Sequence, residues 1–434
     1  MKIVLVLLNE AVARINKTWV TGLGRMAYAP TTLTQLAALV PPELNANIEI
    51  IDEGVSPFDP LTIEADLVGL SVLTPNAPRA YHMAAILKSR GITVVMGGVH
   101  ASLVPEEMIP HADAVVVGYA EKSWPQLLRD FDSHQLKKVY TDLEPSYFQE
   151  KLPIPRFDLQ KNRKYFLPYT FEATRGCHNR CSFCVIASCP HFNSFLVRDI
   201  DQVVSQIRQS GAKNITFLDS SPTENMEYIK RLYTSLIPLK IRWNSSVTLK
   251  IAEDDEWFRL AVKSGCKGVL LGFESLNQDS LTAGNKNFNQ VKRYHELIRK
   301  LHKHGISVLG CFVFGFDSDT PDIFRRTVDF VIKAKIDILN FTILTPYPQT
   351  GVLKQLQAEN RIIETGWEHY NGTRVVFQPA NMSVKQLQEG YEWACLKAYS
   401  AGAVVKRLMP PRSNFAINMA SNIYFSVFNH LRFK

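Results

Sequence analysis

Along the first 130 residues, short runs of aliphatic and β-branched residues alternate with stretches in which apolar positions recur at helical spacing. The runs predict strands over 2–8, 47–51, 67–72, 93–97 and 114–117, and the helical stretches fall at 32–40, 78–90 and 123–131. That order predicts a five-stranded, doubly wound parallel sheet of the Rossmann-like kind. Residues 133–168 are polar and punctuated by Asp142, Pro145, Pro153 and Pro155, the signature of a connection. A second alternation then begins. Strands are predicted over 169–176, 214–218, 242–247, 269–273, 307–314 and 337–345, with helices over 200–210 and 225–236 between the first of them. Six strand and helix units fall short of a closed eightfold barrel, so a partial (βα)6 TIM-type barrel is expected. Residues 351–363 read as a helix, Gly366-Trp367 and 370–372 as a turn, and 383–400 as a long amphipathic helix with Ser383 and Gln386 spaced as a capping box. Pro410-Pro411 ends the stretch after that helix. The α/β chain is thus divided into 1–132, a linker at 133–168, a barrel at 169–363 and a helical C-terminal region at 364–434. That last region is expected to cover the barrel mouth or to act as a plain helical cap.

Open parallel sheets bind ligands beyond the carboxyl ends of their strands. In the first third those ends read Ser71-Val-Leu-Thr74-Pro-Asn76-Ala-Pro78, Gly97-Gly98-Val99-His100 and Gly118-Tyr-Ala-Glu121. Glycine at such turns lets a bulky ligand approach the backbone, although tight βα turns also use it.

Composition narrows the classes. With 434 residues, 46% hydrophobic and 21% charged, the chain has the make-up of a globular protein of two or three domains. The net charge of +8 comes from scattered Lys and Arg without a basic block, so nucleic acid is not expected. Seven cysteines, three of them bunched, argue for a reducing, cytoplasmic compartment rather than a disulfide framework, with Cys266, Cys311 and Cys395 as core thiols. The N-terminal run leads into Asn9 and Glu10 as a buried strand rather than a signal peptide. No stretch suits a membrane-spanning helix. Residues 414–429 come nearest; they lack charge, are broken by Asn and Ser, and are compatible with a peripheral membrane contact.

The chemistry concentrates in Cys177-His-Asn-Arg-Cys181-Ser-Phe-Cys184. Three thiols at C-x3-C-x2-C spacing can converge on one iron–sulfur cluster and leave one of its irons without a protein ligand. A zinc knuckle completed by Cys189 is the alternative. The strand before the loop favours the cluster, because it delivers the thiols to a strand end, where parallel barrels place their chemistry.

At these residues the chain resembles the radical S-adenosylmethionine enzymes, whose signature is C-x3-C-x-aromatic-C, with Phe183 as the aromatic. The resemblance implies that Cys177, Cys181 and Cys184 hold a [4Fe-4S] cluster whose open iron binds S-adenosylmethionine and splits it to a 5′-deoxyadenosyl radical. It implies that the backbone at Phe183 faces adenine. It places Asp219 and Ser220 where the family has a Gly-Gly-Glu edge, Ser246 and Glu274 at ribose and amino-acid contacts, Phe314 beside adenine and Tyr347 at the last strand end. Relatives often read Pro-Tyr-Pro-Gly-Thr at that end; Gln349 replaces the glycine here and would be strained if the turn needs a positive φ.

The first third resembles the cobalamin-binding domain that precedes many of these barrels, which implies cobalamin contacts at Ser71, Thr74, Asn76, Gly97, Gly98, His100, Gly118 and Glu121. The D-x-H-x-x-G motif is absent, with only Asp52-Glu-Gly54 after the second strand, so no axial imidazole is implied from it. His100 is expected to touch the cobalamin tail or pack in its turn. Residues 1–176 lack cysteine, which argues against the methylthiotransferases and their second cluster. The resemblance implies a C-methyltransferase acting on an unactivated carbon of a small molecule, a lipid or tetrapyrrole intermediate among the options. The alternatives are a radical cyclase or rearrangement enzyme with the same cofactors, and a non-catalytic cobalamin or cluster sensor. No protein nucleophile, triad or carboxylate pair is evident. A low-potential donor such as flavodoxin or ferredoxin is implied as partner.

Overall fold

The computed structural model describes residues 1–9, 29–142, 151–160 and 165–433. Pro145 of the expected linker lies outside them. The chain divides into two compact units, one of 1–171, 189–211 and 366–368, the other of 172–188, 212–365 and 369–434.

The first unit is built on a parallel sheet of β1 (Lys2–Leu7), β2 (Asn47–Asp52), β3 (Leu67–Ser71), β4 (Thr93–Gly97), β5 (Ala114–Val117) and β6 (Val139–Thr141), in the order β2-β1-β3-β4-β5-β6. The central strands are apolar on both faces because each face carries its own core. Val4, Val6, Val68, Leu70, Val94 and Met96 pack with Ala80, Ala84 and Leu87 of the helix Ala77–Ser89. Ile3, Leu5, Leu67, Val95 and Val116 pack with Leu33, Trp124 and Leu127 on the other side. The sheet has six strands where five were expected. β6 escapes sequence reading because it is three residues long, and only its central Tyr140 is buried.

The second unit carries β10 (Asn214–Phe217), β11 (Arg242–Val247), β12 (Cys266–Glu274), β13 (Ser307–Phe314) and β14 (Ile338–Ile343), hydrogen-bonded in sequence order and all parallel, as a partial barrel. The strand expected over 169–176 is instead two short pieces, β7 (Thr170–Phe171) and β8 (Thr174–Arg175); β9 (Leu196–Val197) follows the cysteine loop. Between β7 and β8 the amides of Ala173 and Thr174 point to the Asp219 carboxylate, so a side chain takes the place of a ladder partner. Along β13 the alternation is strict: Val308, Gly310, Phe312 and Phe314 are buried, and Leu309, Cys311 and Val313 are half exposed. The buried set faces the helices, since Phe312 and Phe314 meet Phe330 and Phe324 of the helix Ile323–Lys333. The other set therefore lines the inner face, as do Asn244 and Ser246 of β11 and Thr342 of β14.

The C-terminal region touches both ends of these strands: at the carboxyl ends Asn381 donates to the Asp317 carbonyl (2.6 Å), the Ile343 amide donates to the Gly372 carbonyl (2.7 Å), and Phe377 and Leu387 lie against Gly315. Its final helices contact the amino ends: Asn414 reaches the Lys267 carbonyl (2.7 Å), Asn418 reaches Ser307 Oγ (3.0 Å), and Asn422 and Arg407 reach the Asp337 carbonyl (2.8 and 3.0 Å). The reason is Asp337, a buried carboxylate just before β14 that needs partners. His302, Arg412, Asn418 and the Val308 amide supply them at 2.8 to 3.2 Å. The helix Val384–Ala398 starts with the expected capping box of Ser383 and Gln386.

Candidate radical and cobalamin sites

In the second unit Cys177, Cys181 and Cys184 occupy one loop. The backbone pins it, with Ser182 donating to the Gly284 carbonyl (3.1 Å), Val352 to that of Ser182 (3.1 Å) and Cys184 to that of Cys181 (3.1 Å). The thiols are provided with donors that suit thiolate ligands. Cys177 Sγ accepts from the amide (3.4 Å) and side chain (3.2 Å) of Asn179, and Cys184 is approached by the amides of Ala187 and Ile186 at the start of a short helix. Burial pushes the Cys181 thiol up to about 12, while the Lys286 ammonium pulls it down. Deprotonation at neutral pH therefore needs a metal to displace the protons. Among the described residues no three His, Cys, Asp or Glu side chains are gathered in metal-ligand geometry. The loop holds its thiols within range of one another's charge, ready to close on a cluster.

Cys189 does not join them. Its thiol is buried in the first unit against the Ser102 carbonyl (3.6 Å), which removes the fourth ligand of the zinc knuckle. Cys266 and Cys395 are core thiols, but Cys311 lies half exposed on the inner face of β13.

Around the loop stand the strand ends. Glu274 ends β12 in the left-handed region (φ 62°), at a register shift against β13. Asn289 and Tyr294 hold this turn by donating to the Phe273 carbonyl (3.2 and 2.8 Å). The carboxylate so aimed forms a buried ion pair with Lys286. Burial would discharge Lys286, but Glu274, and behind it Cys181 and Cys184, holds its pKa above the ordinary lysine value. Lys286 escaped the sequence reading; a lysine in a loop of Asn and Lys carries no periodic signal. Glu224 is a second missed residue. It accepts from Asn179 (2.6 Å), Ser221 (3.0 Å) and Lys250 (3.1 Å) and so ties the cysteine loop to the ends of β10 and β11.

Of the residues expected at S-adenosylmethionine, Ser220 is exposed, Ser246 donates to the Asp219 carbonyl, and Phe183 sets its ring edge against Phe316 and Gly284. Asp219 is buried and accepts from the Ala173 amide (2.8 Å) and from the amide and hydroxyl (2.9 Å) of Thr174, so it braces the strand that precedes the loop. Burial lifts its pKa to about 7 against those hydrogen bonds. Phe314 is turned away from the inner face and packs between Phe324 and Phe341; by alternation its neighbour Val313 takes the inner place. Tyr347 is half buried, and Gln349 has the positive φ (62°) expected of that turn.

In the first unit the turns after β3, β4 and β5 meet. Gly98 (φ 98°) lies against Val72, whose amide and carbonyl would be 2.9 Å from an added Cβ. Ser102 donates to the Gly98 carbonyl (3.0 Å) and accepts from the Gly118 amide (2.9 Å), joining two turns. Gly118 (φ 79°) has no room for a side chain because the His191 ring sits there. Ser71 borders Gly98, Gly97 pairs with Ser71 in the sheet, and Glu121 is buried after the β5 turn. Thr74, Asn76 and His100 point into the protein. Asn76 donates to the Leu8 carbonyl (2.9 Å), and His100 meets Thr74 Oγ1 at 3.3 Å and the Tyr81 hydroxyl at 3.2 Å. Burial lowers the His100 pKa although Glu107 opposes it, so the ring packs neutral in its turn. Glu107 also accepts from Trp367 (2.9 Å).

Residues 171–358 match the model of the radical SAM superfamily and residues 61–128 that of the B12 binding domain. The chain is 31% identical to the bacteriochlorophyllide d C-12(1)-methyltransferase of Chlorobaculum tepidum, over 79% of this chain and 76% of the relative. It is 30% identical to the bacteriochlorophyllide d C-8(2)-methyltransferase of the same organism, over 90% and 89%. The cobalamin-dependent S-adenosylmethionine radical enzyme OxsB, solved with aqua-cobalamin and S-adenosylmethionine, aligns with a TM-score of 0.70 over 99% of this chain and 72% of its own at 15% identity, a likeness of fold. The three-thiol loop at the strand ends of a partial barrel, the glycine turns of the preceding sheet and these matches together make the chain a member of the cobalamin-binding radical S-adenosylmethionine enzymes, with a [4Fe-4S] cluster, S-adenosylmethionine and cobalamin as its cofactors.

Proposed function

We propose that this enzyme methylates an unactivated carbon on a tetrapyrrole. The observation that carries the reading is the identity of about 30% to two bacteriochlorophyllide methyltransferases along most of both chains. On β12 and β13 the inner face of the barrel is apolar, beside the polar Asn244, Ser246 and Thr342. Leu270, Leu309, Cys311 and Val313 line it, and the Glu274–Lys286 pair brings charge to the strand ends.

The cofactors supply the radical and the methyl group, and the protein supplies orientation and exclusion of water. Cys177, Cys181 and Cys184 are the ligands, held by the amide donors described above. Lys286 and Glu274 offer one positive and one negative group beside the loop, which fits the zwitterionic amino-acid end of S-adenosylmethionine. Ser220, Ser246, Phe183 and Tyr347 are available to its ribose and adenine. Asp219 acts by positioning the loop. In the first unit Ser71, Gly97, Gly98, Gly118 and Glu121 face cobalamin, and Thr74, Asn76 and His100 brace the turns that do so.

We place the enzyme in the cytoplasm, served by a low-potential flavodoxin or ferredoxin. All seven cysteines are free, in keeping with a reducing compartment, and no described helix is long and apolar enough to cross a membrane. The test is an anaerobic assay of the reconstituted protein with cobalamin, reductant, S-adenosylmethionine and candidate tetrapyrroles, read by mass spectrometry. Methyl transfer yields 5′-deoxyadenosine, S-adenosylhomocysteine and a substrate heavier by one methyl. Deoxyadenosine without the other two products would overturn it in favour of cyclisation or rearrangement.

A further inference from the structure

The C-terminal helix Phe415–Phe433 is amphipathic the wrong way round for a helix closing a protein core. Its inward face is polar: Asn418, Ser421, Asn422 and Asn429 are buried. Asn418 donates to Ser307 Oγ (3.0 Å) and Asp337 (3.2 Å), and Asn422 donates to the Asp337 carbonyl (2.8 Å) and accepts from Arg407 (2.5 Å). Its outward face is apolar. Ile417, Ile423, Val427 and Leu431 are 46%, 57%, 36% and 42% exposed, with Ala416 and Ala420 exposed among them and Tyr424 and Phe428 stacked alongside. At about 100° per residue these positions form one stripe opposite the asparagines.

Single exposed apolar residues are ordinary, but a stripe along a helix of 19 residues marks a surface that meets something. Charge identifies the partner. The helix Val384–Ala398 carries Glu389 and Glu392, but from Trp393 onward there is no Asp or Glu, whereas Lys397, Lys406, Arg407, Arg412, Arg432 and Lys434 are all basic. Arg407 and Arg412 are spent inside the protein, on backbone carbonyls and Asp337; Lys397 and Lys406 stand exposed on the two helices that pack against this one. Those helices also expose Trp393 and Val405. A second copy meeting the same face would set cations against cations. A bilayer with acidic headgroups satisfies both the apolar stripe and its basic surroundings.

We propose that the helix Phe415–Phe433 lies flat in the interface of an anionic lipid bilayer, with Ile417, Ile423, Val427 and Leu431 among the acyl chains and Lys397 and Lys406 at the phosphates. It lies on the membrane rather than through it, because its inward asparagines stay bonded to the barrel. This docking is independent of the methyl-transfer reading.

The test uses the full-length, cluster-loaded protein and flotation with vesicles of phosphatidylglycerol and phosphatidylcholine, against phosphatidylcholine alone. Binding is expected only with the anionic vesicles, weakening at high salt. The double variant I423E/V427E is expected to lose at least tenfold in binding while keeping its melting temperature and cluster absorbance, since both positions are exposed. The variant K397E/K406E should bind less. No binding to anionic vesicles by the parent protein, or equal binding by I423E/V427E, would overturn the proposal. So would a parent dimer that I423E/V427E converts to a monomer in light scattering, which would assign the stripe to a second copy.

Discussion

The two ends of the barrel are each organised by a buried aspartate, and the two have opposite surroundings. At the amino ends Asp337 meets cations, and at the carboxyl ends Asp219 meets only neutral donors. Burial alone would raise both. His302 and Arg412 hold Asp337 below the ordinary carboxylate range, so it is an ionised lock on which β14, the helix Tyr294–Lys303 and the C-terminal helices converge. Asp219 has the amides of Ala173 and Thr174 and the Thr174 hydroxyl, which leave its pKa raised to about 7. A carboxylate among cations secures a fold; one among neutral donors changes charge near neutrality. The barrel keeps the first kind at the end away from the cysteine loop and the second beside it.

The largest effect on activity should come from the carboxyl end. Cys181→Ala is expected to lose the cluster, with iron content falling and deoxyadenosine formation abolished, while circular dichroism and melting stay near those of the parent. Retention of full iron and activity would break the assignment of the loop.

The largest effect on stability should come from the amino end. Asp337→Ala leaves His302, Arg412 and the Val308 amide without their acceptor, and removing one partner of a buried ionic network costs about 3–5 kcal/mol. The parent's contribution from Asp337 is present above the pKa of the unfolded aspartate and is lost as pH falls through the lower folded value. Urea titrations should therefore show a loss of stability at acid pH that Asp337→Ala lacks.

Asp219 gives the opposite slope. Its folded pKa is raised, so ionisation costs stability as pH climbs from the ordinary aspartate value to about 7, and the cost is constant above that. Asp219→Asn keeps an acceptor for the three donors and carries no charge. Its stability relative to the parent should rise between about pH 4 and pH 7 and level off above; a difference independent of pH would show that Asp219 does not titrate there.

The smallest effect is expected at Gln349. A side chain in the left-handed region costs on the order of 1 kcal/mol, which glycine relieves less its own entropy. Gln349→Gly should raise the melting temperature by a degree or two, and a decrease would mean that the side chain's contacts outweigh the strain.

The parts of the fold that could be read in advance are those written in neighbouring residues. β1 is a run of apolar residues because it is buried on both faces, and the helices Ala77–Ser89 and Ile200–Ser210 show their own period. The thiol loop is one contiguous motif. β6 was missed because three residues with a single buried one make no pattern. Phe314, which the resemblance puts beside adenine, packs on the helix side of β13: in a strand the next residue points the other way, and only the helix packed against β13 shows which set is inside. That the last helix packs at the amino ends of the strands is not legible locally for a related reason, since its partners, Lys267, Ser307 and Asp337, lie far away in sequence.

By itself the sequence determined the two alternating α/β patterns, the three cluster thiols and the glycine turns, because periodicity, ligand spacing and positive φ are local requirements. Only the tertiary structure decided that Lys286 pairs with Glu274, that Asp219 braces a strand, that Cys189 is excluded from the cluster, and that the last helix turns its asparagines inward. Each of these is a burial decision. A polar group is drawn into the protein only where distant residues can satisfy it, and that is settled when the chain has folded.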